Sequence, residues 1–126
     1  MIDPTLLFKA LADETRLRCL MLMVSENELC VCELGHALGM AQPKISRHLA
    51  MLRKVEIVQD RRDGQWIYYR IHPDIPTWAH TIIHGAAQGS DGMDPFRDDN
   101  LRLAEMPNRP TRCFIDNSEN DIDEKS

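Results

Sequence analysis

No apolar run in this 126-residue chain is longer than six residues, Cys19-Leu20-Met21-Leu22-Met23-Val24. A helix that crosses a bilayer needs about 20, so no membrane partner is expected. The acidic start, Met1-Ile2-Asp3-Pro4, leads into no apolar stretch, and no secretory signal is expected. Cysteine is sparse: four residues, read as reduced thiols of a cytoplasmic protein rather than as a disulfide framework. Internal repeats are absent. Basic side chains are outnumbered 15 to 20, and the resulting formal charge of −5, taken whole, argues against nucleic acid. The length supports one domain, or one small domain with an appendage.

The charge is unevenly spread. Residues 1–86 hold ten Lys/Arg and ten Asp/Glu, whereas residues 87–126 hold five against ten, so the whole deficit lies in the second stretch. Between positions 44 and 70 the balance reverses. Seven basic residues (Lys44, Arg47, Arg53, Lys54, Arg61, Arg62, Arg70) face Glu56, Asp60 and Asp63, a net +4 over 27 residues. Such a patch is either an electrostatic footprint for phosphate or an ordinary solvated face. Composition shifts near residue 87, where Gly89-Ser90-Asp91-Gly92 and prolines at 95, 107 and 110 replace the dense Leu, Ile, Val and Met upstream. The last stretch, Asp116 to Ser126, has too little apolar surface to offset its ordering entropy. A folded domain over 1–87 and an acidic, disordered tail over 88–126 are therefore expected.

Apolar periodicity predicts a first helix from Pro4 to about Ala12 and a second from about Glu14 to Val24, with Asp13 as its N-cap. A third helix is predicted over about Val31 to Leu38, ended by Gly39, and a fourth opens at Gln42-Pro43 and runs to about Lys54. Two β-rich runs, Ile57 to Asp60 and Trp66 to Ile71, flank Asp63-Gly64, a strong hairpin signal. A fifth helix follows over about Pro76 to Ala87. Helices, a short turn between the third and fourth, and a hairpin behind them make up the winged helix-turn-helix order, mainly α with a β-hairpin wing. In that arrangement the fourth helix enters the major groove and the hairpin tip lies on the neighbouring backbone. The basic patch falls on these two elements, which favours the phosphate reading.

Several stretches together resemble the ArsR/SmtB family of metal- and metalloid-sensing repressors, and within it the arsenic-responsive type. They are Leu7-Phe8-Lys9-Ala10-Leu11-Ala12-Asp13-Glu14-Thr15-Arg16-Leu17-Arg18, Glu28-Leu29-Cys30-Val31-Cys32-Glu33-Leu34, Gln42-Pro43-Lys44-Ile45-Ser46-Arg47-His48-Leu49 and the wing Arg61 to Tyr69. The resemblance spans roughly residues 5–87. It implies a homodimer, joined through the first and last helices, that represses an arsenic-resistance operon on double-stranded operator DNA until As(III) or Sb(III) binds as inducer. It implies no permanently bound cofactor.

Gln42, Lys44, Ser46, Arg47 and His48 are the side-chain types that donate to phosphates or read base edges from a recognition helix. Gln42, Ser46 and Arg47 are candidate base readers; Lys44, Arg61 and Arg62 are candidate phosphate anchors. Each alone also reads as a solvated surface residue.

Cys30 and Cys32 are the candidate metalloid ligands, since soft thiolates suit thiophilic ions. In a regular helix, side chains two apart diverge by roughly 200°. Binding is therefore expected to unwind or bend the first turn of the third helix and so displace the recognition helix. Relatives with three sulfur ligands often place a third cysteine three residues after the second; that position here is Gly35. Cys113 is a candidate third ligand, with a small cellular thiol or solvent as alternatives, and it also reads as an unpaired thiol in the tail. Cys19 reads as a core residue. His80 and His84 stand four apart on the last helix, but with Asp74 they fall short of the carboxylate and histidine set of zinc-sensing relatives. His36 and His72 read as surface or packing residues.

Two rival functions remain: the same scaffold sensing another thiophilic metal or thiol oxidation, and a thiol-dependent enzyme. The enzyme would need a nucleophilic cysteine in an electropositive loop. Neither the Cys-x-Cys pair between Glu28 and Glu33 nor Cys113 offers one, so no enzyme is expected.

Overall fold

The structure is a computed structural model and describes residues 2–110. Pro4–Leu11 (α1) and Glu14–Glu26 (α2) begin where expected, each with an aspartate at its N-cap. Asp3 Oδ1 accepts from the Leu6 N–H at 2.9 Å and Asp13 Oδ1 from the Arg16 N–H at 3.0 Å, satisfying donors that a helix start leaves free. A three-residue strand, Glu28–Cys30 (β1), leads directly into Val31–Leu38 (α3). Gly39 closes α3 at φ 68°, ψ 36°, a left-handed cap that glycine adopts without penalty. Three residues later Gln42–Lys54 (α4) begins, with Pro43 in its first turn.

Val58–Asp63 (β2) and Trp66–Ile71 (β3) form the wing, paired antiparallel from Val58↔Ile71 to Asp63↔Trp66. Gly64 takes φ 62° and Gln65 keeps a negative φ, the pattern of a two-residue II′ hairpin turn, which suits the strand twist. β1 adds to the other edge of β3, giving the order β1-β3-β2. The wing therefore belongs to a three-stranded sheet, and its third strand ends on Cys30.

Thr77–Ser90 (α5) follows, then Phe96–Ala104 (α6). Among the described residues one core joins helices α1 to α6 to the sheet through Leu7, Leu20, Leu29, Leu34, Ile45, Leu49, Leu52, Val58, Ile83 and Leu103, each buried. Burial of a leucine side chain contributes about 2 kcal/mol, so α6 is held by more than its neighbours in sequence.

The boundary expected at residue 87 is corrected over 88–110. α5 runs through it, and α6 packs on α2 and α3. Its anchor is Asp99, buried and accepting from Arg18 at 2.9 and 2.7 Å and from Arg102 at 2.8 Å. Arg102 also donates to the Ala37 carbonyl at the end of α3. Two arginines on one carboxylate offset the cost of burying it, which composition alone does not reveal. Residues 111–126, the rest of the expected tail, lie outside the described residues.

Candidate functional site

Cys30 ends β1 and serves as the N-cap of α3, with extended backbone at φ −88°, ψ 166°; Cys32 is the second residue of that helix. This junction overturns the expected divergence of the two thiols. Because Cys30 is not helical, its side chain swings toward Cys32, and the two Sγ atoms lie 2.7 Å apart. No helical turn has to unwind for both to meet one ion. Cys30 is 1% exposed, whereas Cys32 is half-buried, so the pair opens to solvent on the Cys32 side.

Burial, and then the hydrogen bond with Cys32, push the Cys30 thiol well above its ordinary pKa. A helix N-terminus ordinarily lowers a thiol pKa. Here the Glu33 carboxylate occupies that end: Oε1 accepts from the Cys30 N–H at 2.9 Å. Its Oε2 accepts from Arg109 Nε at 2.9 Å, and Arg109 reaches Glu26 at 3.1 Å as well. Glu33 is fully buried and Arg109 nearly so. Sequence reasoning missed both. The Cys-x-x-Glu spacing is a capping-box pattern that was there to be read; Arg109, 76 residues away, left no local signal.

Cys19 is buried in α2, its pKa pushed up to about 12 by burial, as a core thiol's should be. Gly35 is buried against the turn, where an added Cβ would sit 3.1 Å from the Met40 carbonyl. A donor side chain there would press on the turn that sets α4. Cys113 lies outside the described residues. His80 and His84 stack at 4.0 Å between ring centroids on α5, and burial lowers the pKa of His84. Among the described residues no cluster of three or more His, Cys, Asp or Glu is assembled for a metal ion, and no helix is long and apolar enough to cross a membrane.

The basic face is built on α4 and the wing. Gln42, Lys44, Ser46 and Arg47 are exposed along α4, while Ile45, Leu49 and Leu52 fix its other side in the core. Arg62 is exposed on the wing. Two residues of the expected set also engage neighbouring side chains, His48 turned inward and Arg61 still exposed on the wing. His48 turns inward, 3.5 Å from Arg16 and 3.9 Å from Asp13 at the start of α2. Arg61 donates to both Glu28 oxygens, at 2.7 and 3.1 Å, and lies 4.7 Å over the Tyr68 ring.

Residues 13–60 match the family described as "Bacterial regulatory protein, arsR family". The chain is 51% identical over 109 residues to the arsenic resistance transcriptional regulator ArsR1 of Pseudomonas putida, covering 86% of this chain and 84% of that one. The chain belongs to the arsR family. Another arsR-family relative, the arsenical resistance operon repressor of Escherichia coli K12, is 54% identical over 83 residues, 66% of this chain and 71% of that one. Among solved structures, the AntR antimony-specific transcriptional repressor superposes with a TM-score of 0.60 at 31% identity, covering 69% of this chain and 76% of that one. The winged helix-turn-helix architecture is thus that of arsR-family transcriptional regulators, not of an enzyme family.

Proposed function

We propose that this chain is a metalloid-responsive repressor of an arsenic-resistance operon. As a homodimer in the cytoplasm it holds operator DNA with Gln42, Lys44, Ser46 and Arg47 of α4 and with Arg61 and Arg62 of the wing, and As(III) or Sb(III) releases it. The observation that carries this reading is the thiol pair, 2.7 Å apart with Cys30 kept protonated. Arsenous acid suits such a pair, because each As–OH leaves as water with a thiol proton: As(OH)3 and two R–SH give (RS)2As–OH and two H2O. A divalent metal must instead displace the proton that burial holds on Cys30. The relatives named for arsenic resistance and antimony specificity support the same choice.

For the third position Cys113 is the protein's own candidate. It lies four residues beyond Arg109, which is anchored on Glu33 beside Cys30. Four residues of extended chain reach about 14 Å. A small cellular thiol or solvent would serve otherwise. Leu6 and Phe8 on α1 and Trp78 on α5 leave apolar surface exposed on the helices assigned to the dimer. His48 supports α4 through its contact with α2 rather than reading DNA.

The thiol distance also favours a second reading, oxidation of the pair to a disulfide by a peroxide, with two thiol hydrogens leaving in water. An operator gel shift separates them. The wild type should bind operator and leave it with arsenite, while Cys30→Ser/Cys32→Ser should bind and stay. A double variant still released by arsenite would sink the assignment, and release by peroxide but not arsenite would establish the second reading.

A further inference from the structure

The strand register sets Cys30 opposite Tyr68, and Tyr68 opposite Arg61, so these three residues form one row across the sheet. Residues directly opposed on antiparallel strands share a face. Glu28, two residues before Cys30, lies on that face as well, and its carboxylate grips the Arg61 guanidinium through two N–H groups. Arg61 rests on the Tyr68 ring. The row is tight at one end and loose at the other: Cys30 is 1% and Tyr68 4% exposed, whereas the Arg61 side chain is 46% exposed.

The geometry points to the wing as the element that responds to the cysteine site: Glu28 and Tyr68 position Arg61, and a ligand on Cys30 shifts that cation away from the DNA phosphate it serves. This rests on the proposed repressor function and names the route by which loading weakens DNA binding. A close-packed row has no room for an added metalloid at its buried end, so the displacement passes to the end that can move. Glu28 travels with Cys30 because the two share one short strand with only Leu29 between them. A guanidinium has five N–H donors; Glu28 takes two, Asp63 lies 3.6 Å from Nη1, and the others are left for phosphate in an orientation Glu28 sets.

The test uses the full-length protein and arsenite. Operator affinity is measured with and without arsenite for wild type, Glu28→Gln, Glu28→Asp and Arg61→Gln, and metalloid loading is followed by thiol titration. Glu28→Gln should load arsenite as wild type does, yet its ratio of operator affinities without and with arsenite should fall about fivefold or more. Glu28→Asp, which keeps the carboxylate, should recover part of that ratio. Arg61→Gln should bind operator more weakly and show the same reduced ratio, which keeps the test open should a Glu28 variant fail to fold. A responsive wild type beside equally responsive Glu28→Gln and Arg61→Gln overturns this coupling alone. A wild type that ignores arsenite overturns the repressor reading and the coupling with it.

Discussion

Cys30 combines three conditions that seldom meet in one residue. It ends a strand, caps a helix and lies within 2.7 Å of a second thiol. Two influences compete for its proton: the helix start favours thiolate, while burial and the bond with Cys32 favour thiol, and burial wins. The raised pKa has a sign that can be read out. Over about pH 6 to about 8 the thiol stays protonated, so a metal cation that must displace its proton loses about tenfold in affinity per proton for each pH unit of acidification. Arsenite condensation releases water and no net proton, so metalloid-induced release should be flat across the same window. Titrations of operator-bound protein with arsenite and with Cd(II) at several pH values check this. A steep arsenite dependence would mean that the reacting pair enters as thiolates.

At the scale of the elements, the proposed docking divides the work of holding DNA between α4 and the wing, and their arginines differ in what else they touch. Arg47 and Arg62 are exposed, and neither has a carboxylate within ion-pair distance among the described residues. Arg47→Ala with Arg62→Ala should therefore weaken operator binding strongly at moderate salt. As a phosphate anchor, Arg62 alone should lower the salt slope by about one. Unchanged binding by the double variant in a salt series would move the docking face elsewhere. Both elements were legible in the sequence because their signals are local: Pro43 in a first turn, Gly39 at a left-handed cap and Asp63-Gly64 between β-rich runs. β1 was not, because three residues carry no periodicity and its pairing partner lies about 40 positions on, at Tyr68 to Arg70. Treating Cys30 as helical followed from missing that strand, and so did the expected divergence of the thiols. His48 shows the same limit on α4, since only the position of α2 reveals which way its ring turns.

The whole molecule is closed from its C-terminal side. Two aspartate–arginine pairs in this region have the same chemistry and opposite weight. Asp94–Arg97 is solvent-exposed at 2.9 Å, whereas Arg18–Asp99 is buried at 2.7 Å. Surface pairs are worth about 0–1 kcal/mol, but removing one partner of a buried pair costs about 3 kcal/mol or more. Asp99→Ala should accordingly lower the urea-unfolding stability by about 3 kcal/mol, and Arg97→Ala by about 0.5 or less. Equal effects would mean that α6 is not part of the core. Composition hid this because residues 88–110 read as polar, and the two arginines that make Asp99 tolerable come from α2 and from α6 itself. The arrangement has a bearing on synthesis. The helix pair proposed to meet DNA is complete in sequence by Lys54, yet Arg18 and Glu33 beneath it take buried charged partners from Asp99 and Arg109, far later in the chain. A chain still emerging from the ribosome lacks these two late buried contacts, so the reading head is made early and braced last.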